Sequence, residues 1–228
     1  KTMMQAAAAI VATVGTGLNW YSLFVEGRLA VDQILGADED STQLRAARRQ
    51  QLRQTMRQLR LALRPDLHQA YSAAIAGHLR ALPQPQVAAF CWPIEQEPDV
   101  RAAIAHWCAT GSRAALPVVV APASPLAFRA WTPATPLTPD RYGIPTPATG
   151  DWLQPDLLLL PLNAFDGAGY RLGYGGGFFD RTLATLKPRP VAVGVGFEIN
   201  RVDSIEPEAH DERLDWIVTE AGLWQITP

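Results

Sequence analysis

Two spacings of apolar residues divide the chain. In the first region, Leu44, Leu52, Met56, Leu59 and Leu63 fall mostly three or four positions apart, the repeat of one helix face. Arg49, Arg53, Arg57, Arg60 and Arg64 recur at the same spacings, so several of them share a face. A second helix is predicted after Pro65 and Asp66, through "LHQAYSAAIAGHLRAL". His68 and His78 lie on it without metal spacing, and packing or surface roles are expected for both. Beyond Pro83 and Pro85 the pattern changes to continuous apolar runs: "QVAAFCW", "RAALPVVV", "DLLLLPLNAFD", "PVAVGVGFE" and "LDWIVTEAG". Between them fall the helical segment "VRAAIAHWCATG", with Asp99 as cap and Gly111 as stop, and the helix start "FFDRTLATL". Strands apolar on both faces, alternating with helices, predict an α/β fold with a largely parallel sheet covered on both sides.

Two stretches stand apart from this pattern. Residues 6–25, "AAAAIVATVGTGLNWYSLFV", carry no charge and have the length of a membrane span. Thr13, Gly15, Thr16, Gly17, Asn19 and Ser22 dilute the stretch, and no convincing A-x-A cleavage site follows it, so neither insertion nor export is the favoured reading. "GADEDST" at 36–42 reads as a hinge from which Ser41 can begin a helix. The proline-rich stretch from Ala121 to Pro155 is too long for a plain connector, and Phe128, Trp131 and Tyr142 argue that it is ordered.

Composition narrows the classes. With 228 residues, 48% hydrophobic and 18% charged, the chain reads as one globular domain. A net charge of −2 gives no global field for nucleic acid or acidic membranes. Cys91 and Cys108 match no metal spacing; buried thiols in a reducing, cytoplasmic setting are expected.

The densest candidate chemistry is "YRLGYGGGFFDRTL" at 170–183, with glycines at Gly173, Gly175, Gly176 and Gly177 around Tyr174. Glycines between a strand and a helix permit positive φ and close backbone approach, and their amides can form a nest for anions. No G-K-[ST] ends the run, so it is not a P-loop, and it lacks the G-x-G-x-x-G spacing of a dinucleotide site. A plain turn is an equal reading of the glycines alone. Arg171 before them and Asp180 after them add a phosphate clamp and a hard oxygen ligand for magnesium, which favours function. "PEAHDERLD", with Asp211 and Asp215, reads by itself as a solvated charged turn, and so does the group Glu95, Glu97 and Asp99. From pattern alone, the arginine stripe is a solvated basic face in preference to an anion site.

The segment "LLLPLNAFDGAGYRLGYGGGFFDRTLA" resembles the signature of the 5-formyltetrahydrofolate cyclo-ligase family, also called methenyltetrahydrofolate synthetases. "RRQQLRQTMRQLRLAL", "CWPIEQEPDV", "ALPVV", "YGIPTP", "VGVGFE" and "PEAHDERLDWIVTE" occur in the family's order, so the resemblance runs from about residue 43 to the end. It implies a three-layer α/β/α sandwich forming a single catalytic domain over 41–228, with 1–40 an extension that has no counterpart. It implies ATP- and Mg2+-dependent conversion of 5-formyltetrahydrofolate to 5,10-methenyltetrahydrofolate, with release of ADP and phosphate. Neither nucleic acid nor membrane is expected as a partner unless the apolar stretch inserts, and the oligomeric state stays open. Carried over by position, Arg49 and Arg53 match residues that contact ATP phosphates, with Arg49 standing where lysine is common. Arg171, Leu172, Gly173, Tyr174, Gly175, Gly176, Gly177, Phe178 and Phe179 match the nucleotide loop, and Arg171, Gly175 and Gly176 are its catalytic candidates. Tyr174 and Gly175 to Gly177 also border the folate, together with Trp92, Glu97 and Tyr142. Asp180 and Asp211 match the magnesium-associated acids. Phe178 and Phe179 replace tyrosines common in the family. The alternative is a non-catalytic nucleotide- or folate-binding relative of the same fold; a sugar-phosphate or CoA-handling enzyme would rest on fold analogy alone.

Overall fold

A computed structural model describes residues 42–227. The apolar stretch 6–25 and the hinge up to Ser41 lie outside the described residues, as does the expected extension over 1–40. Among the described residues, no helix is long and apolar enough to cross a membrane.

Helix α1 spans Thr42–Leu61 and α2 spans Pro65–Leu79, with Pro65 at the first turn where its missing N–H costs nothing. Strand β1 (Val87–Ala89) leads through a loop to α3 (Arg101–Ala109) and β2 (Arg113–Val118). The proline-rich stretch is ordered, as its aromatics suggest. It forms β3 (Ala127–Trp131), the hairpin β4 (Leu137–Pro139) with β5 (Pro145–Pro147), and β6 (Trp152–Leu153). Next come β7 (Leu157–Pro161), the short ladder β8 (Ala164–Phe165) with β9 (Arg171–Leu172), and α4 (Phe178–Thr185). Strands β10 (Val191–Val195), β11 (Trp216–Thr219) and β12 (Gly222–Gln225) complete the order.

The main sheet runs β12-β11-β10-β7-β1-β2-β3-β6. Its five central strands are parallel, while β12, β3 and β6 add antiparallel edges. The apolar run at 156–166 is two strands rather than one: β7 ends at Pro161 and the chain turns into β8. The final run likewise continues into β12, a hairpin partner that the sequence reading missed.

Strand alternation builds two cores. Leu157 and Leu159 face α2 and α3, packing with Phe90, Ile75, Leu79, Ile104 and Trp107. Leu158 and Leu160 face the other way, onto Leu183 of α4 and Phe165. Each such leucine, taken from water, contributes about 1.5–3 kcal/mol. The helices on these two faces, with the sheet between them, make the three layers that the resemblance implies. A third, smaller core joins Leu52 and Met56 of α1 to Ala164, Leu172, Val202 and Ile205. Helix α1 therefore packs on the β8–β9 ladder rather than on a sheet face.

Asp99 does cap: its Oδ1 accepts the Arg101 N–H at 3.0 Å, although Val100 holds the backbone cap position of α3. Gly111 follows the helix at φ +109°, the left-handed stop expected of it. Of the two thiols, Cys91 is half-buried, but Cys108 is exposed on α3, contrary to the expectation of two buried ones.

Candidate active site

Sheet order reverses direction between β1 and β7: β2 continues on one side of β1, and β10 and β11 extend beyond β7 on the other. In open parallel sheets, ligands gather outside the strand carboxyl ends at such a switch point. A small cavity opens there, lined by Cys91 and Glu97 after β1 and by Pro161 and Val195 at the ends of β7 and β10.

Helix α1 lies across these loops, and its arginines reach into all of them. Arg49 grips both oxygens of Asp211 at 2.8 and 3.1 Å and donates to the Glu206 carbonyl at 3.1 Å. Arg53 Nε donates to the Gly173 carbonyl at 2.8 Å. Arg57 holds the Glu95 carboxylate with two bonds of 2.7 and 2.6 Å. Arg60 donates to the Glu95 carbonyl at 3.0 Å, to Asn163 Oδ1 at 2.8 Å and to the Tyr174 hydroxyl at 3.2 Å. The reading of this stripe as a solvated basic face thus fails for Arg49 and Arg60, although it holds for Arg64, which is exposed beside Asp66. Arg60 is 1% exposed and Arg49 is 7% exposed, because the carboxyl-end loops fold over them. The sequence reading assigned no role to Arg57, Arg60, Glu95 or Asn163. The i+4 and i+3 steps from Arg53 to Arg57 and Arg60 were the available signal, together with Asn163 as the polar residue just past the apolar run of β7.

The glycine loop does join a strand to a helix, but the strand is β9 of the small ladder. Gly175 (φ +92°) and Gly177 (φ +63°) are in the left-handed region, and Gly177 is the residue from which α4 starts. The Arg53 guanidinium closes one side of the loop: a Cβ on Gly175 would lie 3.6 Å from its central carbon. Burial, then the neighbouring Arg49, pulls the Arg53 pKa below its ordinary value, although Asp211 and Glu208 oppose them. A guanidinium crowded by burial and by a like charge, beside an amide-rich loop, is a place where an anion is favourable.

Arg171 and Asp180, the charges flanking the loop, face each other. Arg171 Nη1 donates to Asp180 Oδ1 at 3.1 Å and to the Glu212 carbonyl at 3.3 Å, while its Nε is buried without a partner. Arg171 is 4% exposed, so in this arrangement it braces the loop from beneath instead of standing open as a clamp. Leu172 is buried beside it, and Phe179 lies 5.9 Å from its guanidinium.

On the other side of the loop, Tyr174 joins the two candidate subsites. Its residue is 48% exposed, yet its hydroxyl is inserted between Arg60 and Glu97, donating to Glu97 Oε1. Glu97 is 5% exposed, and its Oε2 accepts the Ile94 N–H at 3.1 Å. Burial pushes its carboxyl up, against the pull of Tyr174 and Ile94. Burial and the Glu97 carboxylate push the Tyr174 phenol up in turn. His68 has the packing role expected of it, with Nε2 2.9 Å from the Glu97 carbonyl and its ring edge-on to Phe197. Trp92 lies edge-on to Trp131 at 6.2 Å and carries the Arg101 guanidinium 5.0 Å from its centroid. Tyr142, exposed on the β4–β5 turn, meets Phe178 of the glycine-loop helix at 6.0 Å. Every residue expected to border the folate therefore lies on a loop near the sheet's carboxyl edge, on the glycine loop or on the hairpin in contact with it.

The two magnesium candidates differ. Among the described residues, no three His, Cys, Asp or Glu side chains cluster as metal ligands. Asp211 has both oxygens on Arg49, and Oδ2 also accepts the Glu208 N–H at 2.7 Å. Burial disfavours its charge, but Arg49 and Glu208 outweigh that and hold it below the usual carboxylate range. So engaged, Asp211 does not fit a metal ligand. Asp180 fits better: the contacts from Arg171 and from the Glu212 N–H at 3.1 Å both fall on Oδ1. One remaining carboxylate oxygen suits magnesium, which commonly keeps waters and substrate phosphates as its other ligands.

An open, largely parallel sheet thus brings a glycine-rich bend, several arginines and a buried carboxylate together at the crevice where α/β enzymes bind their ligands. The chain belongs to the 5-formyltetrahydrofolate cyclo-ligase family, whose sequence model matches residues 45–220. It is 32% identical over 182 residues to the 5-formyltetrahydrofolate cyclo-ligase of Escherichia coli (strain K12), covering 75% of this chain and 99% of that protein. It is 30% identical over 177 residues to the Haemophilus influenzae enzyme of the same name, covering 73% and 95%. In structure it is similar to the 5,10-methenyltetrahydrofolate synthetase of Aquifex aeolicus, with a TM-score of 0.68 and 26% identity over 79% of this chain and 93% of that one. Its activity is that of the family, an ATP-dependent ligase acting on 5-formyltetrahydrofolate.

Proposed function

We propose that the reaction runs across Tyr174, with ATP phosphates on the Arg53 side of the glycine loop and the pterin on the Glu97 side. The observation that carries this reading is the position of the loop. Its Gly173 carbonyl is held by Arg53, and the hydroxyl of the next residue is held by Glu97 and Arg60. The formyl oxygen attacks the γ-phosphorus, and the bond to ADP breaks. The phosphorylated oxygen is now a good leaving group. N10 attacks the formyl carbon and gives up its proton, and phosphate departs, leaving 5,10-methenyltetrahydrofolate. Such chemistry asks the protein for positioning and for compensation of moving negative charge, without a covalent intermediate.

Arg53 and the amides of Gly175 to Gly177 hold the phosphates. Arg49, fixed by Asp211, adds positive potential behind Arg53, which gives Asp211 a positioning role in place of a metal-binding one. Arg171 sets Asp180, the one carboxylate that would help hold magnesium; the ion, when bound, would neutralise phosphate charge. Glu97 accepts the pterin's ring N–H and amino donors, with Trp92 and Tyr142 as apolar walls. Phe178 and Phe179 pack at the start of α4 and carry no hydroxyl for proton transfer. The free thiols Cys91 and Cys108 suit a reducing, cytoplasmic setting.

The test is a pair of variants followed by the absorbance rise of methenyltetrahydrofolate. Glu97→Gln should raise KM for 5-formyltetrahydrofolate by roughly ten- to a hundredfold, the cost of a charge-assisted hydrogen bond, with a far smaller change for ATP. Arg53→Ala should do the reverse. Equal shifts for both substrates in Glu97→Gln would remove the pterin assignment.

A further inference from the structure

Two consecutive non-glycine residues, Glu95 (φ 49°) and Gln96 (φ 58°), hold left-handed backbone immediately before Glu97. Side chains disfavour this region, and two such residues in a row persist only where their surroundings over-determine them. Those surroundings come from α1. Arg57 grips both Glu95 carboxylate oxygens, Arg60 holds the Glu95 carbonyl, and the Gln96 side-chain amide reaches the Leu61 carbonyl at 3.1 Å. The turn then closes on itself, with the Glu97 N–H donating to the Ile94 carbonyl at 2.8 Å and Ile94 returning its own N–H to Glu97 Oε2.

The Arg57 and Glu95 side chains keep 43% and 32% exposure. An ion pair that open to water stabilises a fold little. Its two-pronged geometry is better accounted for by what it orients, because a forked guanidinium fixes the carboxylate plane as well as its distance. The geometry points to Arg57 and Glu95 as a positioning pair for the folate half of the reaction. They hold residues 95 and 96 left-handed, so that the next side chain, Glu97, enters the cavity at the switch point. Neither hydrogen-bonds to Glu97, and both act through the backbone between them. This inference rests on the reading of Glu97 as the pterin acceptor.

Steady-state kinetics on Arg57→Ala, Arg57→Lys, Glu95→Gln and the double variant Arg57→Ala/Glu95→Gln test it, with Glu97→Gln measured in parallel and thermal melts run on each. Arg57→Ala and Glu95→Gln should each raise KM for 5-formyltetrahydrofolate about tenfold, the scale of a displaced positioning group. KM for ATP should stay within about twofold, and melting should stay close to the parent. Arg57→Lys should recover part of the loss, and the double variant should be no worse than either single one, since the pair acts as a unit. An unchanged folate KM in Arg57→Ala, where Glu97→Gln raises it, overturns the positioning role alone. A shift in the ATP KM equal to or larger than the folate shift would also overturn it, by placing Arg57 on the phosphates. Additive effects in the double variant would do the same. If Glu97→Gln itself leaves the folate KM unchanged, the pterin reading fails and the positioning role fails with it.

Discussion

The glycine loop at 173–177 and the turn at 94–97 both place left-handed backbone at the carboxyl edge of the sheet, and they reach it by opposite means. In the first, Gly175 and Gly177 remove the side chain that would object. In the second, Glu95 and Gln96 keep their side chains and are held by Arg57, Arg60 and the Leu61 carbonyl. The difference suits their proposed partners. Phosphate oxygens need bare amides at close range, so side chains would be in the way. A pterin needs one carboxylate at a set angle, so side chains that fix the turn are an advantage. The glycine loop is left open, with Gly175 and Gly176 exposed, whereas Glu97 is buried.

The contact common to both regions gives the largest expected effect. Arg60 bonds to the Glu95 carbonyl and to the Tyr174 hydroxyl, and also to buried Asn163. Arg60→Met keeps most of the packing but strips a charged donor from three acceptors, which should cost about 3 kcal/mol or more in urea unfolding. It should also raise both substrate KM values, unlike Arg57→Ala. A loss confined to one substrate would mean that the two regions are not joined through Arg60.

Gly175→Ala breaks only the glycine side of the comparison. The new Cβ would meet Arg53 at an ordinary 3.6 Å, so the penalty comes from φ +92° rather than from a clash. About 1–2 kcal/mol of lost stability and a raised ATP KM are expected, read by unfolding and by kinetics. The folate KM should move less.

Proton linkage sharpens the buried-carboxylate side. Burial holds the Glu97 carboxyl above its unfolded value, so the folded chain binds that proton more tightly. The stability this carries is complete below the unfolded pKa and is lost as pH rises through the folded one. Glu97→Gln has no such proton. Measured by urea unfolding, the variant should gain stability relative to the parent as pH rises above about 4, the ordinary carboxylate value. A difference that is flat with pH would mean that Glu97 titrates as it does in water.

The smallest effect is expected at Gln96→Gly. Glycine accepts φ 58° without strain but gives up the bond to Leu61 and adds freedom to the unfolded chain. These terms oppose each other, so the change should stay within about 0.5 kcal/mol, the range of ordinary surface substitutions. A loss well beyond that would show that the side-chain bond, and not the arginine grip, holds the turn.

Much of this was legible from short-range pattern. Leu157 to Leu160 announce a strand buried on both faces, Gly111 ends α3, and "GYGGG" marks a bend with left-handed glycines. Each depends on neighbours within a few residues, which is what a sequence displays. The signature around the glycine loop carried the family, and the family carried Trp92, Glu97, Tyr142, Asp180 and Asp211 as candidates. Pattern misled where a long-range partner decided the outcome. The arginine stripe looks solvated until Glu95, Asn163, Tyr174 and Asp211 arrive from 35, 103, 114 and 162 residues away. Asp211 looks like a metal acid until Arg49 takes both its oxygens, and Arg171 looks like an open clamp until Asp180 turns back onto it.

The sequence by itself determined the helices, the buried strands, the glycine-rich bend and the family, because periodicity and backbone freedom are local properties of the chain. Only the tertiary structure decided which charges meet. The free energy of a guanidinium or a carboxylate depends on burial and on the nearest opposite charge, and in this fold both are set by loops far apart in the chain that converge at the carboxyl edge of one largely parallel sheet.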